Sequence, residues 1–204
     1  MLEPQRSQCS ALLLLCWRPT LSSVRVYGCF GQTFAIYNAC MDNEIGALFL
    51  STSSAKLEQM TGFVTNCMNR LSDEQVWQRG GAHENAIGNI ILHLTGNMRQ
   101  WIMHGVGGAA DVRVREKEFN AEGGASVAEL IQLFTETVQE ARAVIESLPP
   151  ERLTERTSPQ GRNVSMLEAI YQVVGHVQQH TGQIIVLTKQ MRGADLDLTM
   201  PRTR

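Results

Sequence analysis

His176 and His180 are four residues apart in a stretch patterned as a helix. That spacing turns a helix through about 400°, so both rings leave one face a single turn apart. Two imidazole nitrogens placed this way can meet at one metal ion, about 2.0–2.1 Å from each. They lie on the seam Val173, His176, His180, Ile184, Leu187 and Met191, where they take the place of apolar residues on a core-facing stripe. The pair alone is equally compatible with two buried neutral histidines satisfied by their neighbours.

His93 changes the balance. It lies in the middle of another helical stretch, on the seam Ala86, Ile90, His93, Asn97 and Trp101. A histidine from a second inward face supplies a third ligand, and three inward histidines are hard to satisfy as ordinary core, since each unpaired buried polar group costs ~1–3 kcal/mol. Three imidazoles with open positions form a catalytic-type site with room for water or substrate. Asn97, one turn from His93, and Gln183, one turn from His180, are candidates to orient ligands or bound water; a role as ordinary polar residues at a bundle edge fits them equally. His104 shares the face of His93 but lies ~16 Å along the axis, too far to join the same site. His83 is expected in an exposed loop. Glu84 and Tyr171 are weaker acid–base candidates, with surface positions expected for both.

Four helices must hold these residues. The first is expected from about Asp42 to Leu71, with Ile45, Leu48, Phe49, Leu57, Met60, Val64, Cys67, Met68 and Leu71 at three- and four-residue steps and a polar patch from Ser51 to Ser54. Ser72 to Gln75 reads as a capping box opening a short turn. The second spans about Asn85 to His104, with the apolar stripe Ile87, Ile90, Ile91, Leu94, Met98, Trp101 and Ile102. The glycines of Gly105-Val106-Gly107-Gly108 end it, and a polar linker with Arg113, Arg115, Glu116, Lys117 and Glu118 follows. A second capping box, Ser126 to Glu129, opens the third helix, whose stripe is Leu130, Ile131, Phe134, Val138, Ala141, Ile145 and Leu148 before Pro149-Pro150. The fourth opens on a third box, Ser165 to Glu168, and reaches about Arg192, with Gly193 just past its end. No strand pattern competes. The predicted fold is all-α, a four-helix bundle over residues 42–193, with a frayed tail at 194–204.

Residues 1–41 show no sustained period and are expected to be a poorly structured N-terminal extension, upstream of a natural internal start at Met41. The run Ala11 to Trp17 is apolar but short; Glu3 offsets Arg6, and Arg18-Pro19 stops it early, so a signal peptide is not expected. A lipoprotein attachment at Cys16 would want a small residue before it, where Leu15 stands. Five cysteines without paired spacing argue against a disulfide framework, and Cys67 is expected as a small buried hydrophobe. Composition is globular, with 43% hydrophobic and 19% charged residues among 204. A net charge of −2 gives no push toward nucleic acid or anionic membrane, and no apolar run approaches the ~20 residues of a membrane span. The chain is therefore expected to be cytoplasmic.

Two segments carry a family resemblance. Gly88-Asn89-Ile90-Ile91-Leu92-His93-Leu94-Thr95-Gly96-Asn97 resembles the helix-two motif of the DinB-like superfamily. His176-Val177-Gln178-Gln179-His180-Thr181-Gly182-Gln183-Ile184 resembles its helix-four motif. The resemblance covers about residues 42–193. It implies a DinB-like bundle, a site in which His93, His176 and His180 bind one divalent metal, often nickel or zinc, and frequent homodimers. Some members of the superfamily are thiol transferases or isomerases using bacillithiol, mycothiol or glutathione. By that likeness the expected partner is a small molecule such as a low-molecular-weight thiol, and the expected activity is a metal-dependent transferase or hydrolase. A non-catalytic metal-binding or stress-associated bundle is the alternative.

Overall fold

The structure is a computed structural model that describes the backbone of residues 29–81 and 83–198 and the side chains from residue 43 onward. The apolar run near the N-terminus, Cys16 and the chain beyond residue 198 lie outside the described residues. Helix α1 spans Cys29–Met68, α2 Asp73–Val76, α3 Ile87–Met98, α4 Arg115–Asn120, α5 Val127–Ser147 and α6 Met166–Arg192. The long helices α1, α3, α5 and α6 form the bundle expected from the sequence, and they share one apolar core.

The caps are those the sequence predicts. Ser72, Ser126 and Ser165 each accept a hydrogen bond from the backbone N–H three residues on, and Gln75, Glu129 and Glu168 return the bond. Gly193 closes α6 in the left-handed conformation at φ 61°.

Several expectations are corrected. α1 begins at Cys29, upstream of the expected start near Asp42; a nucleated helix propagates without a periodic stripe. Ile45 and Leu48 are 62% and 66% exposed. The inward face here is Gly46, Leu50, Ser53, Ser54 and Leu57. Small residues on it admit close neighbours: Pro150 and Leu153 press on Gly46, and Arg142 and Glu146 of α5 hydrogen-bond the buried Ser54 hydroxyl. A polar patch in sequence is thus the contact between α1 and α5.

The α3 helix does not stop at its glycines in one step. It widens into a π-helical turn over Arg99–His104, where Gly105 N–H donates to Gln100 O. The polar linker contains α4. The connection after α5 holds a two-residue antiparallel pair, β1 Arg156–Thr157 with β2 Val164–Ser165, too short to show a period of two. Past α6, the chain to residue 198 is not frayed: Leu196 is 1% exposed, and its carbonyl accepts from Arg70 at 3.1 Å. None of the described helices is long and apolar enough to cross a membrane.

Candidate metal centre

His93 of α3 and His176 and His180 of α6 meet. His93 Nε2 lies 3.2 Å from His176 Nε2, and His180 Nε2 lies 3.0 Å from the same atom. The three histidines form a group whose ligand nitrogens all lie within 4.8 Å of one another. The rings meet edge to face, with interplanar angles of 76–88°. Tetrahedral coordination at 2.0–2.1 Å separates ligand nitrogens by roughly 3.3 Å, close to the spacings found here.

The opposite nitrogen of each ring is held by an oxygen. Glu118 Oε2 lies 3.0 Å from His93 Nδ1, Asn97 Oδ1 3.1 Å from His176 Nδ1, and Gln183 Oε1 2.6 Å from His180 Nδ1. The Asn97 and Gln183 oxygens favour a proton on Nδ1 of His176 and His180, which leaves the Nε2 of each ring unprotonated; His93 Nδ1 faces both Glu118 Oε2 and, at 3.1 Å, the Arg113 Nη2 donor. The lone pairs of His176 and His180 converge 3.0 Å apart and repel one another unless a proton or a cation lies between them. Burial foremost, then the charges of His180, His93 and Arg113, lowers the pKa of His176 to about 4. Burial likewise lowers that of His180, against the hydrogen bond it donates to Gln183 Oε1, which raises it. The site therefore keeps both rings of α6 neutral and able to ligate at ordinary pH.

Asn97 and Gln183 each bond a histidine ring of the group, but Asn97 bonds the histidine across the seam rather than His93 on its own helix. His176 and His180 also stand differently from their expected place on the core stripe. Around the histidines the buried residues of α6 are Val173, Val177, Thr181, Ile184 and Thr188; the two histidines are half-buried beside them. His93 is buried. His83, Glu84 and Tyr171 are exposed, and His104 bonds the Ala109 carbonyl instead of joining the site.

Glu118 is the residue that the sequence does not reveal. It is 7% exposed, and Arg113 grips it at both oxygens, Nε to Oε1 at 2.7 Å and Nη2 to Oε2 at 2.8 Å. Burial would push this carboxyl up, but the hydrogen bonds from Arg113 and His93 and the Arg113 charge outweigh it and hold the group below the usual carboxylate range. Its position is fixed from α3. The buried Asn89 amide donates to Glu118 O at 3.0 Å and to Ala121 O at 2.7 Å, and Arg79 donates to Phe119 O and Ala121 O. Gly96 leaves the space: a Cβ there would collide with Glu118 Oε1. A glycine inside a helix, three residues after a candidate ligand, is the one signal in the sequence that something approaches closely.

The family described as "Protein of unknown function (DUF1572)" matches residues 44–204. The chain belongs to the DUF1572 family. This is a DinB-like family, and the solved structures agree on the fold of this DUF1572 chain. A DinB-like protein from Bacillus cereus ATCC 10987 aligns with a TM-score of 0.56 at 18% identity, covering 76% of this chain and 95% of that one. A DinB-like protein from Bacillus subtilis aligns with a TM-score of 0.55 at 12% identity, covering 71% and 94%. At these identities the likeness establishes the fold of the DUF1572 bundle and leaves its chemistry to the site itself. No match was found among curated proteins.

Proposed function

We propose that this DUF1572 protein holds one divalent cation, zinc or nickel, on the Nε2 atoms of His93, His176 and His180, and uses it to activate a thiol or water against a small electrophile. The observation that carries this reading is the convergence of three histidine Nε2 atoms whose opposite ring nitrogens each face a side-chain oxygen. Imidazole donors suit zinc and nickel. When bound, such a cation lowers the pKa of a thiol or water in its open position and so supplies a nucleophile at neutral pH.

The chain's own residues do the rest. Glu118 accepts the His93 proton bond and raises the basicity of that ring, while Arg113 keeps the carboxylate ionised in its buried place. Asn97 and Gln183 fix the tautomer and tilt of the other two rings. A closed structural site takes four protein ligands, whereas among the described residues this group has three, all histidine. That supports an open position and a small-molecule partner, a low-molecular-weight thiol being the first to try.

The test is to load the protein with zinc or nickel and supply glutathione, bacillithiol or mycothiol with an electrophilic aryl halide. Conjugation that needs the metal and disappears in His180→Ala is the expected result. Full metal occupancy without conjugation or ester hydrolysis would contradict catalysis and leave a metal-binding bundle.

A further inference from the structure

The α4 helix is too short to hold itself. With six residues it forms little more than one hydrogen-bonded turn, which is unstable in isolation. Gly108 at φ 76° precedes its segment and Gly124 at φ 94° follows it, so contacts rather than chain stiffness must fix what lies between. It packs chiefly on α3. Yet α4 carries two residues to the histidine group: Glu118 to His93 Nδ1, and Phe119, whose ring centroid lies 4.9 Å from that of His93.

The last carbonyls of a helix have no partner within it, and here two side chains from outside supply the donors. Arg79, in the loop before α3, directs Nη2 at Phe119 O at 3.0 Å and at Ala121 O at 3.1 Å. Asn89 donates through Nδ2 to Glu118 O at 3.0 Å and to Ala121 O at 2.7 Å. Its Oδ1 accepts from Arg79 Nη2 and from Ala86 N–H, both at 3.2 Å. Asn89 is 0% exposed, and both amide hydrogens and both acceptor positions are used. The bond from Ala86 N–H serves the start of α3; the two bonds of the NH2 group go to another element. Asn89, His93 and Gly96 follow at steps of four and three, so one face of α3 docks α4, receives its carboxylate and leaves room for it.

We infer that Asn89, with Arg79, positions the histidine group through α4: their bonds to its carbonyl end seat Glu118 on His93, so that docking of α4 and uptake of a divalent cation are one linked equilibrium. Asn89 bonds none of the three histidines and acts only through what it holds. A seated Glu118 raises cation affinity, and by reciprocity a bound cation favours docked α4 by the same factor. The linkage rests on the proposed metal site; the seating of Glu118 stands on the hydrogen bonds alone.

Asn89→Asp in the full-length protein is the test. Aspartate keeps the acceptors for Ala86 N–H and Arg79, and with them the start of α3, but replaces the donor to α4 by an oxygen facing two carbonyls. Zinc affinity, read by competition with a chromophoric chelator, should fall about tenfold. Zinc should slow amide hydrogen exchange of residues 115–120 in the wild type and do so less in Asn89→Asp, with exchange in the middle of α5 alike in both. Combination with Glu118→Gln decides the route. An effect passing through Glu118 adds little to the affinity lost in Glu118→Gln alone, whereas a general loss of stability adds in full. Arg79→Ala removes the other donor without touching α3 and should act in the same direction, which keeps the test decisive if Asn89→Asp folds poorly. Unchanged zinc affinity, full additivity, or α4 exchange indifferent to zinc overturns the inference. Wild-type protein that binds no zinc defeats the metal reading and the linkage with it; zinc bound equally by the wild type and both variants defeats the linkage alone.

Discussion

Glu118 Oε2 lies 3.0 Å from His93 Nδ1, although the two residues belong to different helices and are 25 positions apart in the chain. That contact joins the candidate metal centre to a buried ion pair, because the same carboxylate is forked by Arg113. Ligand orientation and local stability are therefore coupled, and substitutions can separate them.

Glu118→Gln retains an acceptor for His93 but discards the charge. Divalent-metal affinity should fall by about 10- to 100-fold, the usual effect of losing such a ligand partner. Glu118→Ala should do more, since it removes the charge and also both oxygens that accept from Arg113, a loss of about 3–5 kcal/mol in stability. Metal titration and urea unfolding of the two variants check this; equal stability losses would mean that the acceptor retained by Gln contributes little, and no loss in either would mean that the Arg113 pair itself does not.

Gly96→Ala would ordinarily stabilise a helix interior by about 1 kcal/mol. Here the sign should reverse, because the added methyl collides with Glu118 Oε1. The expected outcome is a lower melting temperature together with weaker metal binding. A rise in melting temperature with unchanged metal affinity would show that α4 shifts freely away from α3.

In the metal-free protein, stability should depend on pH through the histidines. His176 protonates near pH 4 in the fold against an ordinary value of 6.5, and the pKa of His180 is lowered in the same direction. Between those values the unfolded chain binds protons that the folded chain refuses, so stability is full above pH 6.5 and is lost as pH falls toward 4. Urea midpoints should drop between about pH 7 and about pH 5, and the drop should be smaller in His176→Asn. Identical pH profiles for the two proteins would contradict the burial of that ring.

Much of this arrangement is legible in the sequence. A histidine on a strongly periodic helix announces its face, and the i, i+4 pair announces convergence; the serine–glutamate boxes and Gly193 mark where α5 and α6 begin or end. What escapes is whatever depends on chain closure between distant segments. Glu118 stands in a charged run indistinguishable from a solvated linker, and only the bonds from Asn89, Arg79 and Arg113 turn it inward. Ser54 reads as a polar interruption because its partners, Arg142 and Glu146, lie on α5. The register of α1 escapes for a related reason: hydrophobicity favours Ile45 and Leu48, while packing chooses the small Gly46 so that Pro150 can approach. The π turn at Arg99–His104 leaves no mark in the apolar spacing of α3.

The most direct measurement is the metal content of the purified protein and of its His93→Ala, His176→Ala and His180→Ala variants by elemental analysis after equilibration with zinc or nickel. One ion per wild-type chain is expected, with near-complete loss in each variant and a lower melting temperature only where the ion is lost. Wild-type protein that retains no ion, or variants that retain as much as the wild type, would contradict a shared site at the three imidazoles.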